Sequence, residues 1–318
     1  MSRFERILVT GASGFVGGYL RRRLAAELPH AQQFLLRRPE PDACAGTDWL
    51  EADIADADTV ADVVRAVRPD LVVHLAAQSS VGGANSPEAA AATWTINVGG
   101  AIALAGAIAR FAPEATVLNV SSSEVYGASF LEGTVAEETP LRPMGVYGRT
   151  KVAAEQVFGD ILPASTQLIT VRPFNHTGPG QDERFVVPSF VAQLVRAAAS
   201  PTKRIVSVGN LDAKREFLDV RDVVSAYVGL IAHAEDLPMR AVFNIASGNV
   251  VAVSSVLDEL IALSGADVEV RQDPTRLRAS DIPCAAGDAA AIAAAIGWKP
   301  EIGLKQMLTD IWRAKADH

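Results

Sequence analysis

The ten residues from Leu8 to Gly17, LVTGASGFVG, constrain this chain more than any other stretch. The apolar run Ile7 to Val9 reads as a buried strand, and Gly11, Gly14 and Gly17 punctuate a turn into a helix whose apolar positions are Phe15, Val16, Leu20 and Leu24. Glycine permits a tight turn and close approach of a ligand to the backbone, while a helix N-terminus supplies N–H donors and the positive end of a dipole. Such a strand, turn and helix suits a phosphate. The spacing is Gly-x-x-Gly-x-x-Gly rather than the Gly-x-Gly-x-x-Gly of the common dinucleotide fingerprint, so the loop alone is a weak signal.

The chain beyond it repeats the same alternation. Phe34 to Leu36, Leu71 to Leu75, Val117 to Val120 and Leu168 to Val171 are further strand candidates. Between them lie helical patterns at Asp56 to Val67 and Pro87 to Phe111, the second with Ser86 as N-cap and Pro87 in the first turn. Strands alternating with helices predict an α/β fold, a doubly wound parallel sheet with a ligand across its strand C-termini. After the second strand stand Arg37 and Arg38, where a protein binding NAD(H) usually places an acid for the ribose 2′-hydroxyl; two arginines suit the 2′-phosphate of NADP(H), with NAD(H) as the alternative. Asp53 fits an adenine contact or a helix N-cap equally well.

Later in the chain, Tyr147 and Lys151 stand four apart in VYGRTKVAAE. On a helix, i and i+4 side chains are neighbours, so the lysine is expected to sit by the phenol and favour its ionised form. A free tyrosine titrates near pH ~10, and a fixed cation would bring it toward the working range for acid/base exchange with a carbinol or ketone. By itself such a pair is more often a surface tyrosine beside a helical lysine. The glycine loop changes that reading.

With 318 residues the chain can bury a large core, as one domain or as two sharing a cleft. Its net charge of −8 and pI near 5.2 argue against nucleic acid or anionic lipid as partner. The 49% hydrophobic content owes much to alanine, and no run is expected to approach the ~20 apolar residues of a membrane span. The N-terminus enters a strand directly, without a signal-peptide pattern, and only Cys44 and Cys284 occur, giving neither a disulfide framework nor a metal site; a cytoplasmic location is expected.

The glycine loop, HLAAQSSV from His74 to Val81, SSSEVYG from Ser121 to Gly127 and the Tyr147/Lys151 pair together resemble the extended short-chain dehydrogenase/reductases that modify nucleotide sugars. Downstream, RPFNHTGPGQ from Arg172, VGNLDAKREFLDVRDVV from Val208, QDPTRLRASDIP from Gln272 and GWKP from Gly297 narrow the resemblance to the branch acting on GDP-mannose derivatives. It covers nearly the whole chain.

The resemblance implies reduction of the C4 ketone of GDP-4-keto-6-deoxy-D-mannose to GDP-D-rhamnose by NADPH, with GDP-mannose 4,6-dehydration or sugar epimerisation as alternatives. It carries the catalytic roles to Ser122, Tyr147 and Lys151, with Glu124 as a candidate base, substrate contact or relic. Cofactor contacts fall on Gly11, Ser13, Gly14, Phe15, Val16, Gly17, Arg37, Arg38, Asp53, Ile54, Leu75, Ala76, Ala77, Tyr147 and Lys151. Substrate contacts fall on Ser122, Asn175, Arg215 and Arg278, the arginines gripping a diphosphate by bidentate forks. His176 is expected to pack or hydrogen-bond rather than to exchange protons.

The resemblance also implies a homodimer through two long helices per subunit, here 87–111 and the Tyr147 helix. Residues 1–173 are expected to form the dinucleotide-binding domain, with segments near 215–248 returning to it, and 174–318 mainly a nucleotide-sugar-binding lobe. By pattern alone, the lobe includes 188–199, 204–208, 242–245, 254–263 and 268–270.

Overall fold

The computed structural model describes residues 4–39, 48–79, 86–199, 204–277 and 282–316. Arg278, Cys44 and the end of the His74 to Val81 motif lie outside them. The chain opens with six strands of one sheet: β1 (Arg6–Thr10), β2 (Gln32–Arg37), β3 (Trp49–Glu51), β4 (Leu71–His74), β5 (Thr116–Val120) and β6 (Gln167–Pro173). Four shorter strands follow, β7 (His176–Thr177), β8 (Arg204–Val208), β9 (Lys214–Glu216) and β10 (Leu218–Asp219), before β11 (Arg240–Ile245) rejoins the sheet as its seventh strand. Three more, β12 (Val250–Ala252), β13 (Val268–Gln272) and β14 (Cys284–Ala285), lie in smaller sheets. The helices are α1 (Phe15–Glu27), α2 (Ala57–Val67), α3 (Pro87–Trp94), α4 (Gly100–Phe111), α5 (Val146–Ile161), α6 (Val186–Ala198), α7 (Val220–Ala232), α8 (Val253–Ser264), α9 (Ala290–Ile296) and α10 (Leu304–Ala316).

The central sheet is wholly parallel, in the order β11-β6-β5-β4-β1-β2-β3. From β1 the chain builds outward through β2 and β3, then returns to the other side at β4. That reversal opens a crevice beyond the C-terminal ends of β1 and β4, the place where open α/β sheets bind ligands. Both faces are covered, as a parallel sheet requires. Leu20 and Leu24 of α1 and Val223 and Leu230 of α7 pack on one face with Ile7, Val9 and Leu118; Val60 and Val64 of α2, Leu104 and Ile108 of α4 and Phe158 of α5 pack on the other with Leu8, Val72 and Val117.

Local signals account for the helix starts. Asp56 accepts from the N–H groups of Asp58 and Thr59, and Val60, Val64 and Val67 bury one stripe of α2. Ser86 accepts from Ala89 N–H with Pro87 in the first turn of α3. A π-helical turn, Thr95–Gly99, joins α3 to α4. A separate core under α6, α8 and α10, built on Phe190, Leu194, Leu257, Leu260 and Leu308, forms the second lobe.

Two expectations are corrected. The segment 242–245, grouped by pattern with the smaller lobe, belongs to β11 and pairs parallel with β6. The run Pro87–Phe111 is, by length and composition, long and apolar enough to cross a bilayer, with a mean hydropathy of 1.4 over an 18-residue stretch. Ile96, Val98, Ile102, Leu104 and Ile108, with the alanines, carry that value. Half of the stretch is buried inside the fold, its inner face against the sheet and against α2 and α5.

Candidate active site

Gly11, with φ of +69°, leads out of β1 beneath the exit of β4, where an added Cβ would lie 2.7 Å from Ala76 N and 2.9 Å from the Leu75 carbonyl carbon. A Cβ on Gly17 would lie 2.6 Å from Gly11 O. Gly14 caps α1 with no side-chain hydrogen bond, so the first-turn N–H groups have no side-chain acceptor. This bare backbone cradle fits the pyrophosphate of a dinucleotide. Ser13 is exposed on it, Phe15 and Val16 are half-buried in the first turn of α1, and Leu75, Ala76 and Ala77 form a partly exposed wall opposite. Beneath the wall, Thr10 Oγ1 accepts from Ala76 N–H at 3.2 Å and pairs with His74 Nδ1 at 2.8 Å. Burial holds His74 far below the usual imidazole range, at about 3, with the charge of Lys151 adding to the effect, so the ring is neutral.

The two arginines differ. Arg37 is ion-paired with Glu51 of the neighbouring strand at 2.9 Å and stacks over Trp49. Arg38 is exposed at the end of β2. Asp53 Oδ1 accepts from Ala55 N–H at 3.0 Å in a turn leading to the Asp56 cap, and Ile54 is buried under α4.

The chemistry-bearing residues meet where β5 ends. Ser122 begins a short 3-10 turn, Ser123–Val125; its Oγ accepts from Glu124 N–H at 3.2 Å, and its hydroxyl lies near enough to the phenol of Tyr147, at the start of α5, to act on its pKa. Gly148 makes this approach possible. A Cβ there would stand 2.6 Å from Glu124 O and 3.1 Å from Pro143 Cβ, so any side chain would drive the turn away from the helix.

The relation between Lys151 and Tyr147 departs from the sequence expectation. Lys151 Nζ donates to Val120 O at 2.8 Å and lies 5.9 Å from the centre of the Tyr147 ring. The phenol titrates above its ordinary value: burial raises it most, the Ser122 hydrogen bond opposes the rise, and the charge of Glu124 adds to it. Spacing placed the two side chains on one face, but the strand-end carbonyl captured the ammonium and burial raised the phenol. Burial also brings Lys151 down to about 8, against the raising effect of Glu155.

Sequence reasoning missed the residues that hold this face. Buried Asn97, in the π-helical turn, accepts from Gln78 N–H at 2.8 Å and donates to Thr150 Oγ1 at 2.9 Å; Thr150 in turn donates to Tyr147 O at 2.8 Å. Arg172 pairs with Glu155 beneath α5. An asparagine amid alanines and a charge inside an apolar strand were the available signals.

The substrate-side residues are spread more widely. Asn175 is exposed beyond β6, its carbonyl accepting from Leu218 N–H. Arg215 on β9 directs Nη1 to the carbonyls of Lys214, at 2.8 Å, and Ile282, at 2.7 Å. His176 is hydrogen-bonded through Nδ1–H to Phe174 O at 2.9 Å, and burial lowers its pKa.

A doubly wound sheet with this cradle at its switch point and a Ser/Tyr/Lys set beside it defines a nicotinamide-dependent oxidoreductase of the extended short-chain type. Comparison with known proteins gives a family model described as GDP-mannose 4,6 dehydratase, matching residues 8–311, and the chain belongs to that family. The chain is 34% identical to GDP-6-deoxy-D-mannose reductase of Pseudomonas aeruginosa over 314 residues, 96% of each chain, and 28% identical to GDP-6-deoxy-D-talose 4-dehydrogenase of Aggregatibacter actinomycetemcomitans over 89% of this chain and 88% of that one. A solved structure, RMD from Pseudomonas aeruginosa complexed with NADPH, superimposes with a TM-score of 0.78 at 32% identity, covering 98% of this chain and 99% of that one.

Proposed function

We propose that this protein reduces the C4 ketone of GDP-4-keto-6-deoxy-D-mannose to GDP-D-rhamnose with NADPH. The observation that carries the reading is the convergence of Ser122, Tyr147 and Lys151 at the C-terminal edge of the sheet, with Lys151 bonded to Val120 O, beside the glycine cradle. The reductase relative and the NADPH complex supply the substrate and cofactor class. Gly11, Ser13, Gly14, Phe15, Val16 and Gly17 would hold the pyrophosphate, Arg38 the 2′-phosphate, and Leu75, Ala76 and Ala77 the opposite wall. When bound, the nicotinamide supplies the hydride.

Tyr147 delivers its proton to the C4 oxygen, and Ser122 donates a hydrogen bond to the same oxygen as charge develops there. Lys151, charged below about pH 8, favours the phenolate left behind. Asn175, Arg215 and Arg278 would hold the GDP moiety. The assignment of 1–173, with its returning segments, to cofactor and 174–318 mainly to substrate belongs to the same reading. So does a homodimer through the outer faces of α3, α4 and α5, where Trp94 and Ile102 are 41% and 50% exposed; sedimentation of the purified chain tests it.

Glu124 favours a second reading, GDP-mannose 4,6-dehydration, because its charge acts on Tyr147 where a dehydratase needs a base at C5. The two are separated by incubating the protein with NADPH and a panel of nucleotide 4-keto sugars, following cofactor absorbance and product identity. A reductase consumes NADPH stoichiometrically, and Glu124→Gln keeps turnover within about one order of magnitude, short of the ~10²–10⁴ lost with a true acid/base group. Rapid dehydration of GDP-mannose without added reductant, abolished in Glu124→Gln, overturns reduction in favour of the dehydratase.

A further inference from the structure

Three successive residues at the end of β5 each give one polar group to α5. Val120 O accepts from Lys151 Nζ, Ser121 Oγ donates to Glu155 Oε1, and the Ser122 hydroxyl lies beside Tyr147 and acts on its phenol. The helix partners are thus Tyr147, Lys151 and Glu155, at i, i+4 and i+8 on one face. The reaction proposed above uses the first two and leaves Glu155 without a task.

Glu155 is nonetheless built in firmly. Its side chain is 12% exposed, and the guanidinium of Arg172, 6% exposed, grips both oxygens, Nε to Oε1 at 3.1 Å and Nη2 to Oε2 at 2.7 Å. Arg172 Nη1 donates onward to the Tyr126 phenol and to Glu137 O, each at 2.9 Å, and Tyr126 donates to Asn244 Oδ1 at 2.7 Å. The network fastens the 121–126 turn to α5, β6 and β11. A buried ion pair is weak evidence for stability, since apolar replacements often do as well. Its position, one turn beyond the lysine and bonded to the residue before Ser122, is better explained by the site.

We propose that Glu155 is a positioning residue: it keeps Lys151 in its charged form and, through Ser121, holds Ser122 against Tyr147. The inference rests on the reading that Tyr147 and Lys151 carry the chemistry. Lys151 lies near His74 from β4, and near Tyr147 and Glu155 of its own helix. His74 is neutral and Tyr147 is protonated near neutral pH, so among these neighbours Glu155, though shared with Arg172, is the group whose charge favours the proton on the lysine.

The test is Glu155→Gln, which keeps the shape and removes the charge. The chain has six lysines, so ¹³Cε-lysine NMR titration, with Lys151→Arg for assignment, reads Lys151 without any substrate. The Lys151 midpoint should fall by ~1 pH unit from about 8, the effect of losing a nearby opposite charge. With the 4-keto sugar and NADPH, kcat should fall ~10-fold with KM within ~3-fold, as expected for a misplaced catalytic group, and the alkaline limb of kcat should move down with the lysine midpoint. Glu155→Asp should restore the midpoint. If Glu155→Gln fails to fold around the orphaned guanidinium, Glu155→Gln/Arg172→Gln should still lower the Lys151 midpoint, by less, because a cation leaves with the carboxylate. An unmoved Lys151 midpoint in a folded variant overturns the proposal, even where kcat falls. A wild type that turns over no 4-keto sugar removes the proposed reaction instead, and the substrate-free titration still decides on Glu155.

Discussion

At the residue scale, Tyr147 is asked to give up a proton although its surroundings hold that proton tightly. Tyr147→Phe should therefore leave NADPH binding, read by fluorescence titration, within about twofold, and lower turnover by ~10²–10⁴; near wild-type turnover would remove tyrosine from the mechanism. Because Lys151 must be charged and titrates at about 8, kcat should decline as pH rises through 8. A flat profile to pH 10 would show that the ammonium is not needed. The pair was legible in the sequence because i and i+4 share a helix face, but its electrostatics were not: no spacing rule shows that Val120 O would capture the ammonium or that burial would raise the phenol. The arginines teach the same lesson. Glu51 and Trp49, on a strand too short to read from its pattern, engage Arg37 and leave Arg38 exposed, so Arg38→Ser should erase most of a ~10-fold preference for NADPH over NADH and Arg37→Ser less, the preference corresponding to a charge-assisted contact of roughly 1.5–3 kcal/mol. Equal losses in binding titrations would place both guanidinium groups on the phosphate.

At the element scale, the site depends on how closely a turn and a helix approach. The 121–126 turn could be read as a serine-rich motif and α5 as a helix, yet their contact depends on Gly148, whose missing side chain gives no periodic signal. Gly148→Ala would set a methyl 2.6 Å from Glu124 O, a backbone atom that yields only if the whole turn moves. Overpacking of this kind costs about 1–3 kcal/mol, and a shift near 1 Å between Ser122 and Tyr147 costs roughly 10²-fold in rate. Kinetics and thermal melting of Gly148→Ala should show both losses, and wild-type values in both would mean that the turn is slack. The π-helical turn carrying Asn97 was invisible for a related reason: Pro87 to Phe111 reads as one apolar helix, and a single wide turn leaves that period almost unchanged.

For the whole molecule, strand–helix alternation made the parallel sheet readable up to β6 except for the three-residue β3, because the other strands carry apolar runs. The return of β11 was foreseen by resemblance, not by pattern, since the chain reaches it only after the lobe strands and α7. The resulting stack of β1, β4, β5 and β6 buries His74 between sheet and α5, and this ties overall stability to pH. Thr10 Oγ1 is hydrogen-bonded to His74 Nδ1, and burial, with the charge of Lys151 adding to it, brings the pKa from 6.5 to about 3. The native state therefore binds fewer protons than the unfolded chain between those values, so the contribution of His74 is complete above pH 6.5 and is lost as pH falls toward 3. His176, lowered by burial as well, acts in the same direction. Lys151 works at the other end: with its native pKa depressed to about 8, unfolding takes up protons between 8 and about 10.5, so stability rises with pH across that window. One unit of pKa difference is worth about 1.4 kcal/mol, and urea unfolding at pH 5 against pH 7.5 should show a loss of up to ~2 kcal/mol attributable to His74. His74→Asn should lower stability at both pH values while removing that share of the slope. An identical pH slope in wild type and His74→Asn would show that the imidazole takes up its proton inside the fold.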